Sequence, residues 1–260
     1  MAYFTLGHRL PYIKRFLFGD RKRFGLVTNK EDPCWKEWEK TYTKFYENTQ
    51  KKSIGDLVNK AGYRIMRDIS LAGKKVLEIG PGYIQHIDHW PDKPLHYTCA
   101  DINEKFLEAS RDILSKNDIK HDTMLIAQDQ PHILPLPDNS VDVIVTFYSL
   151  EHLHPFENFL DEYKRVLSKE GIIIGAIPAE GGLGWGLGRF LTSRRWLKNN
   201  TTINPDKIIC WEHPNFASHI LQNLDIHFTR KKISFWPFYI PLPDFNLIIK
   251  FIYQHDSISK

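Results

Sequence analysis

Cysteine is scarce in this 260-residue chain: Cys34, Cys99 and Cys210 are odd in number and widely spaced, which excludes a disulfide framework or a zinc knuckle. Long apolar runs are missing too. No stretch approaches the ~18 uncharged apolar residues of a membrane-spanning helix. His8, Arg9, Lys14 and Arg15 interrupt the N-terminus, so it lacks the apolar segment of a signal peptide. These absences together predict a cytoplasmic protein. Internal repeats and low-complexity tracts are absent as well, and 42% hydrophobic, 13% aromatic and 25% charged residues describe a chain able to bury a core.

A strong overall charge is also lacking, with 35 bases against 31 acids and a net of +4. The excess is local. Arg9, Lys14, Arg15, Arg21, Lys22, Arg23 and Lys30 face only Asp20 within residues 1–30, and the other 230 residues are net negative. Nothing here resembles the long basic track that a nucleic acid requires. Residues 1–30 instead mix bases with Tyr3, Phe4, Tyr12, Phe16, Phe18 and Phe24 and show no clean period. They read as an extension that can rest peripherally on the inner face of an anionic membrane, and whose removal should spare the core. A homodimer is equally compatible with such a segment.

Helices are predicted from Trp35 to about Lys52 and from Ser53 to Ile69, the second with Ile54, Leu57, Val58, Ala61, Ile65 and Met66 at helical spacing. The rhythm then changes. Lys75–Ile79, His96–Ala100, Met124–Ile126, Val141–Phe147 and Ile172–Ile177 are short β-like runs. Between them lie a helix capped by Asn103 and another with Pro155 in its first turn and Phe156, Phe159, Leu160, Tyr163, Val166 and Leu167 facing inward. The alternation and the near-continuous apolar strands predict an α/β fold with a mostly parallel sheet covered on both faces. After Pro178 come a glycine-rich basic stretch (180–200), a helix near 205–222, and strands near 225–235 and 246–253. The link between those strands is too short and proline-rich for a helical crossover, so they should be antiparallel.

Gly80-Pro81-Gly82 ends the first strand, and Asp101 ends the second, 23 positions beyond Glu78. A glycine turn lets a ligand approach the backbone, and an acid at that distance suits ribose hydroxyls. The third glycine of a dinucleotide fingerprint is missing, since position 85 is Gln, and Glu78 would repel phosphate. An adenosine without phosphate is the better fit.

At this point the chain resembles the class I S-adenosylmethionine-dependent methyltransferases, in particular the type 11 small-molecule group. The residues that carry the likeness are Val76–Gly82, Asp101, Leu134–Ile144, Leu150–Leu153 and Glu162–Gly171. The resemblance covers about residues 53–178. It implies a Rossmann-like seven-stranded mostly parallel sheet with an antiparallel last strand, helices on both faces and an N-terminal helical extension. The division is then 1–52 for the extension and 53–260 for the methyltransferase domain, with an acceptor-covering insertion at about 179–222. It also implies S-adenosylmethionine as cofactor. Glu78, Gly80, Pro81 and Gly82 correspond to the motif at its methionine end, and Asp101 to the ribose acid. Ile102 lies beside adenine in that correspondence, Asp129-Gln130 face the adenine amino group, and Phe147 and Tyr148 stand near the reacting methyl.

Transfer to a hydroxyl requires alignment and removal of a proton. His152 and His213 are the competing proton acceptors, with Glu151 next to His152 a further candidate. Ubiquinone-biosynthesis O-methyltransferases, which look similar here, present Glu-x-x-Glu-His. This chain has Tyr148-Ser149-Leu150-Glu151-His152, which leaves too few hard ligands for a divalent metal, so none is expected. The five glycines of 180–190 predict a mobile loop, and Arg189, Arg194, Arg195 and Lys198 stand unopposed between Glu180 and Asp206, which would attract an anionic acceptor. The expectation is an enzyme methylating a small or carrier-linked acceptor, a sugar hydroxyl in cell-surface polysaccharide or glycolipid assembly. The alternatives are a quinone or other lipophilic acceptor, and a non-catalytic binding subunit of the same fold.

Overall fold

The protein, seen in a computed structural model that describes residues 5–45 and 54–255, begins with three helices, α1 (Pro11–Phe18), α2 (Arg21–Phe24) and α3 (Pro33–Phe45). Pro11 opens α1, where a missing N–H costs nothing, and the Asp20 side chain caps α2 by accepting from the Arg23 N–H. Tyr3, Phe4, the expected end of the helix at Lys52 and the division at 52/53 fall outside the described residues. Chain description resumes at α4 (Ile54–Tyr63), which tightens into a 3₁₀ turn over Arg64–Asp68.

Seven strands follow: β1 (Lys75–Ile79), β2 (His96–Asp101), β3 (His121–Leu125), β4 (Val141–Phe147), β5 (Leu167–Pro178), β6 (Thr229–Trp236) and β7 (Ile248–Gln254). Their order is β3-β2-β1-β4-β5-β7-β6. The first five are parallel, and β7 runs antiparallel to both β5 and β6, as the short link between the last two strands requires. Helix α5 (Glu104–Lys116) connects β2 to β3, and Asn103 caps it by accepting from the Lys105 N–H. Helix α6 (Phe156–Val166) connects β4 to β5, with Pro155 one position earlier than expected, as its N-cap.

Neighbouring positions in a strand point to opposite faces, and here both faces are apolar. Leu77, Ile144 and Ile173 pack with Phe159, Leu160 and Tyr163 of α6. Val76, Val143 and Ile174 pack on the other side with Val58 of α4, Met66, and Leu107 and Leu114 of α5. This double burial is why the strand sequences are continuous apolar runs rather than alternating ones.

The region after β5 departs from expectation. The glycine-rich stretch is not a mobile loop but two helices, α7 (Leu183–Leu191) and α8 (Ser193–Asn200). Its glycine at 186 serves close packing: a Cβ there would lie 2.8 Å from both Leu17 Cδ1 and Phe18 Cζ of α1. The single helix expected near 205–222 is two, α9 (Pro205–Glu212) and α10 (Ala217–His227), parted at His213-Pro214 where proline withholds a backbone donor. The N-terminal segment is not a loose extension. Leu17 and Phe18 are buried, and α1 packs on α7 and α9. Among the described residues no helix is long and apolar enough to cross a membrane.

Candidate active site

Strands β1 and β4 are neighbours whose outer partners lead in opposite directions, so a crevice opens outside their carboxyl ends. Gly80 and Gly82 stand there at φ +66° and +55°, a backbone region that glycine adopts freely. A Cβ on Gly80 would approach the Ser149 Cβ to 3.0 Å, so the turn passes the end of β4 too closely to carry a side chain without displacing Ser149. From this turn a cleft of about 1180 Å³ runs under α3, α7, α8 and α9.

Glu78 is buried, and both its oxygens are engaged. Oε1 lies 2.7 Å from His86 Nε2, and Oε2 accepts from the Tyr97 hydroxyl at 2.7 Å. Trp90 Nε1 donates to His86 Nδ1 at 2.9 Å, which leaves the His86 proton on Nε2, directed at Glu78. Asp101 Oδ1 accepts from the Asn103 N–H at 2.9 Å. Burial nevertheless lifts the Asp101 pKa to about 6, against the lowering effect of the Asn103 and Ile102 amides. Ile102, Phe147 and Tyr148 line the cleft, with Ile102 half exposed. Tyr148 donates to the Asn59 carbonyl at 2.8 Å. Asp129 and Gln130 are exposed and lie outside the cleft wall; Gln128 and His132 line it at that point, because residues 127–130 turn the intervening side chains outward.

The three proposed proton acceptors meet at the end of β4. Asn215 clamps the bend after α9 onto the turn after β4: its Nδ2 donates to the Leu150 carbonyl at 3.0 Å, and its N–H donates to the Glu151 carbonyl at 3.3 Å. The His152 and His213 rings therefore stand 4.7 Å apart. His152 Nδ1 contacts the Glu212 backbone carbonyl, and its Nε2 is 4.0 Å from Glu151 Oε1. Glu151 is buried, its Oε2 has no hydrogen-bond partner among the described residues, and burial raises its pKa to about 7 despite the opposing influence of His152. His213 Nδ1 lies 3.1 Å from Glu180 Oε2, off the line of a good hydrogen bond. Burial lowers the His213 pKa to about 4, with Glu180 opposing.

Glu180 was legible only as the first residue of the glycine-rich stretch, yet it organises this wall. It is wholly buried, accepts from Trp185 Nε1 at 2.8 Å and pairs with Arg189. Burial works to raise its pKa, but Arg189, His213 and Arg21 outweigh that and hold it at about 2. Arg21 arrives from α2, donating to the His213 and Pro214 carbonyls at 2.7 and 2.6 Å with its guanidinium 3.6 Å over the Phe216 ring. The expected row of unopposed bases is thus corrected. Arg189 is neutralised by Glu180 and Arg194 by Asp206 at 2.5 Å, the two acids that bracket the stretch in sequence, while Arg195 and Lys198 are exposed.

Comparison with known proteins bears on what this cleft belongs to. Residues 77–175 match the family model described as a methyltransferase domain. A segment of 107 residues, 41% of this chain, is 34% identical to 39% of a probable S-adenosylmethionine-dependent methyltransferase of Mycolicibacterium smegmatis. Residues 77–175 carry a methyltransferase domain of the S-adenosylmethionine-dependent kind. A second match, 33% identical over 132 residues, covers 49% of this chain and 34% of the mitochondrial arginine-hydroxylase NDUFAF5 of Rattus norvegicus. The chain therefore spans little more than a third of the curated relatives it matches. An S-adenosylmethionine-dependent methyltransferase from Mesorhizobium loti shares the fold at a TM-score of 0.51 with 15% identity, over 76% of this chain and 100% of that one.

The cofactor of this domain class is S-adenosylmethionine, and the cleft of the methyltransferase domain fits it. Asp101 is a half-buried carboxylate whose pKa burial lifts to about 6, and ribose hydroxyls at the cleft can donate to it. Each Glu78 oxygen keeps a further lone pair beyond those given to His86 and Tyr97, so an ammonium can still be received. The far wall of the methyltransferase cleft, invisible in the sequence, is apolar and aromatic: Trp35, Trp38, Tyr42, Leu197, Ile208 and Trp211. Three of these come from α3, ahead of the segment that carried the resemblance. Among the described residues, no group of three or more His, Cys, Asp or Glu is placed to hold a metal ion.

Proposed function

We propose that the protein transfers a methyl group from S-adenosylmethionine to a hydroxyl of a small or carrier-linked ring acceptor, a sugar hydroxyl of cell-surface polysaccharide or glycolipid assembly. One observation carries this reading: a single cleft joins the glycine turn and Asp101 to the buried, unpartnered Glu151 Oε2 beside His152 and His213. In this reading Gly80, Pro81 and Gly82 admit the methionine end, Glu78 receives its ammonium, Asp101 the ribose hydroxyls, and Ile102 flanks the adenine. Asp129 and Gln130 act only if the loop bearing them shifts, and Gln128 takes their place at the wall. Phe147 and Tyr148 border the reacting centre. The bound cofactor supplies an electrophilic methyl on a sulfonium. The chain's own task is to align the acceptor oxygen and take its proton. Glu151, with a pKa near working pH, is the group best matched to accept that proton. His152 adjoins its other oxygen, and His213, fixed by Glu180, borders the acceptor.

The acceptor reading differs from a charge-only one. With Arg189 and Arg194 internally paired, phosphate attraction is weakened, and ring stacking on the tryptophans replaces it as the source of grip. The same apolar wall favours a second reading, a quinone or other lipophilic acceptor. The test is transfer of radiolabelled methyl to fractionated cell extracts. Label in saccharide-bearing lipid supports the first reading and label in sugar-free lipid the second. Cofactor binding without transfer to any fraction would point to a binding subunit, or to chemistry such as that for which the rat relative is named.

A further inference from the structure

We propose that the face formed by α1, α7 and the loop from Pro237 to Phe245 docks on an anionic lipid bilayer, bringing the acceptor side of the cleft to the membrane surface. The second half of this statement rests on the carrier-linked reading above; the docking itself does not.

Large apolar side chains stand in water on three segments. Tyr12 and Phe16 on α1 are 88% and 54% exposed, Leu187 and Leu191 on α7 are 50% and 65%, and Phe238 and Tyr239 in the loop are 65% and 66%. Each pair on a helix is spaced i, i+4, so it forms a stripe along one side. The three segments are joined. The Phe16 and Phe190 rings lie 4.6 Å apart, tying α1 to α7. The Asp244 carboxylate accepts from the Leu6 N–H at 2.6 Å and the Leu183 N–H at 3.0 Å, tying the loop to the segment that leads into α1 and to the start of α7. An apolar surface of this extent on a water-facing protein marks a contact site.

The loop is also held in shape. Asn246 is fully buried, donates from Nδ2 to the Ile240 and Leu242 carbonyls at 2.9 Å each, and accepts from the Phe238 N–H at 3.1 Å. Its aromatic tip is thus presented without an ordering cost at the moment of contact.

Charge selects the occupant. Residues 5–24 and 183–200 together carry ten Lys or Arg against Asp20, and the loop adds one acid, the buried Asp244. Arg21, Arg189 and Arg194 are held internally and Arg15 pairs with Asp20, and a basic excess still stands. Apolar groups among bases match an anionic bilayer, whereas two copies of the same face would set like charges against each other. Helix α7 joins this face to the cleft, since Gly188 and Arg189 line the cleft while Leu187 and Leu191 face water.

The experiment is co-sedimentation of the full chain, without cofactor or acceptor, with vesicles of phosphatidylcholine alone and with added phosphatidylglycerol. Binding should appear with the anionic vesicles and fall as salt rises. Phe238→Ser/Tyr239→Ser should cut partitioning at least ~10-fold, and Leu187→Gln/Leu191→Gln, on a separate segment, should do likewise. Arg195→Gln and Lys198→Gln should each cost about fivefold on anionic vesicles only. Unchanged S-adenosylmethionine affinity shows that each variant has kept its fold. Absence of binding by the parent, or equal binding to neutral vesicles, overturns the proposal. So does a concentration-dependent dimer that Phe238→Ser/Tyr239→Ser abolishes, which would assign the face to a second copy. Because no turnover is measured, failure here leaves the methyl-transfer reading standing, and failure of transfer leaves docking standing.

Discussion

Replacing Glu180 by Gln removes the one negative charge from a buried group that includes Arg189, Arg21 and His213. The amide can still accept from Trp185, but the Arg189 guanidinium, only 9% exposed, loses its counter-charge. The Glu180 pKa is held at about 2 against an ordinary 4.5, a gap worth about 3 kcal/mol of stability at neutral pH. Independently, breaking a buried pair by removing one partner costs about 3–5 kcal/mol. Glu180→Gln should therefore lose roughly 3 kcal/mol in urea unfolding at pH 7.5, or about 6–12 °C in Tm for a chain of this size. The folded-state pKa lies below the unfolded one, so the contribution is complete above about pH 4.5 and drains away toward pH 2. The gap between variant and parent should shrink by about half near pH 3. A loss under ~1 kcal/mol at pH 7.5, or an undiminished gap at pH 3, would refute the view that this carboxylate is ionised and holds the wall together.

Glu151→Gln should lower kcat about 10²–10⁴-fold at unchanged cofactor affinity and abolish the rise in rate through about pH 7 that an ionising base produces; a retained pH limb would remove Glu151 from the role of proton acceptor. Asp101→Asn should weaken S-adenosylmethionine binding by about 1.5–3 kcal/mol in calorimetry, and the parent's affinity should decline as pH falls below about 6, where the carboxylate gains a proton; affinity within twofold of the parent would remove Asp101 from the ribose site. Phe18→Ala should cost about 3–5 kcal/mol in urea unfolding, because Phe18 is fully buried against Phe216; a loss below ~1 kcal/mol would restore the picture of a detachable N-terminus.

The sheet was readable from the chain because its signals are local. Lys75–Ile79, Val141–Phe147 and Ile172–Ile177 are apolar on both alternating faces, and only a strand buried on both sides makes use of that pattern. Asn103 and the glycine turn at 80–82 are positional signals of the same kind, set by unpaired backbone donors and by positive φ. The methyltransferase core, and Asp101 at the edge of β2, followed from them. What lay beyond reach depended on distance in space rather than along the chain. The glycine-rich stretch carries poor intrinsic helix formers, yet it is helical with α1 packed so closely that a side chain at 186 would collide, and with the Pro243 carbonyl equally close at 182. Arg189 and Arg194 looked unopposed because their partners are the two acids at the ends of that stretch, brought back by the folding of α7 and α9. His213 meets His152, and Arg21 meets His213, across gaps of 61 and 192 residues that no periodicity spans. Burial decided the rest: the same carboxyl group has a pKa of about 2 at Glu180, where guanidinium groups surround it, and about 7 at Glu151, where burial outweighs the neighbouring His152.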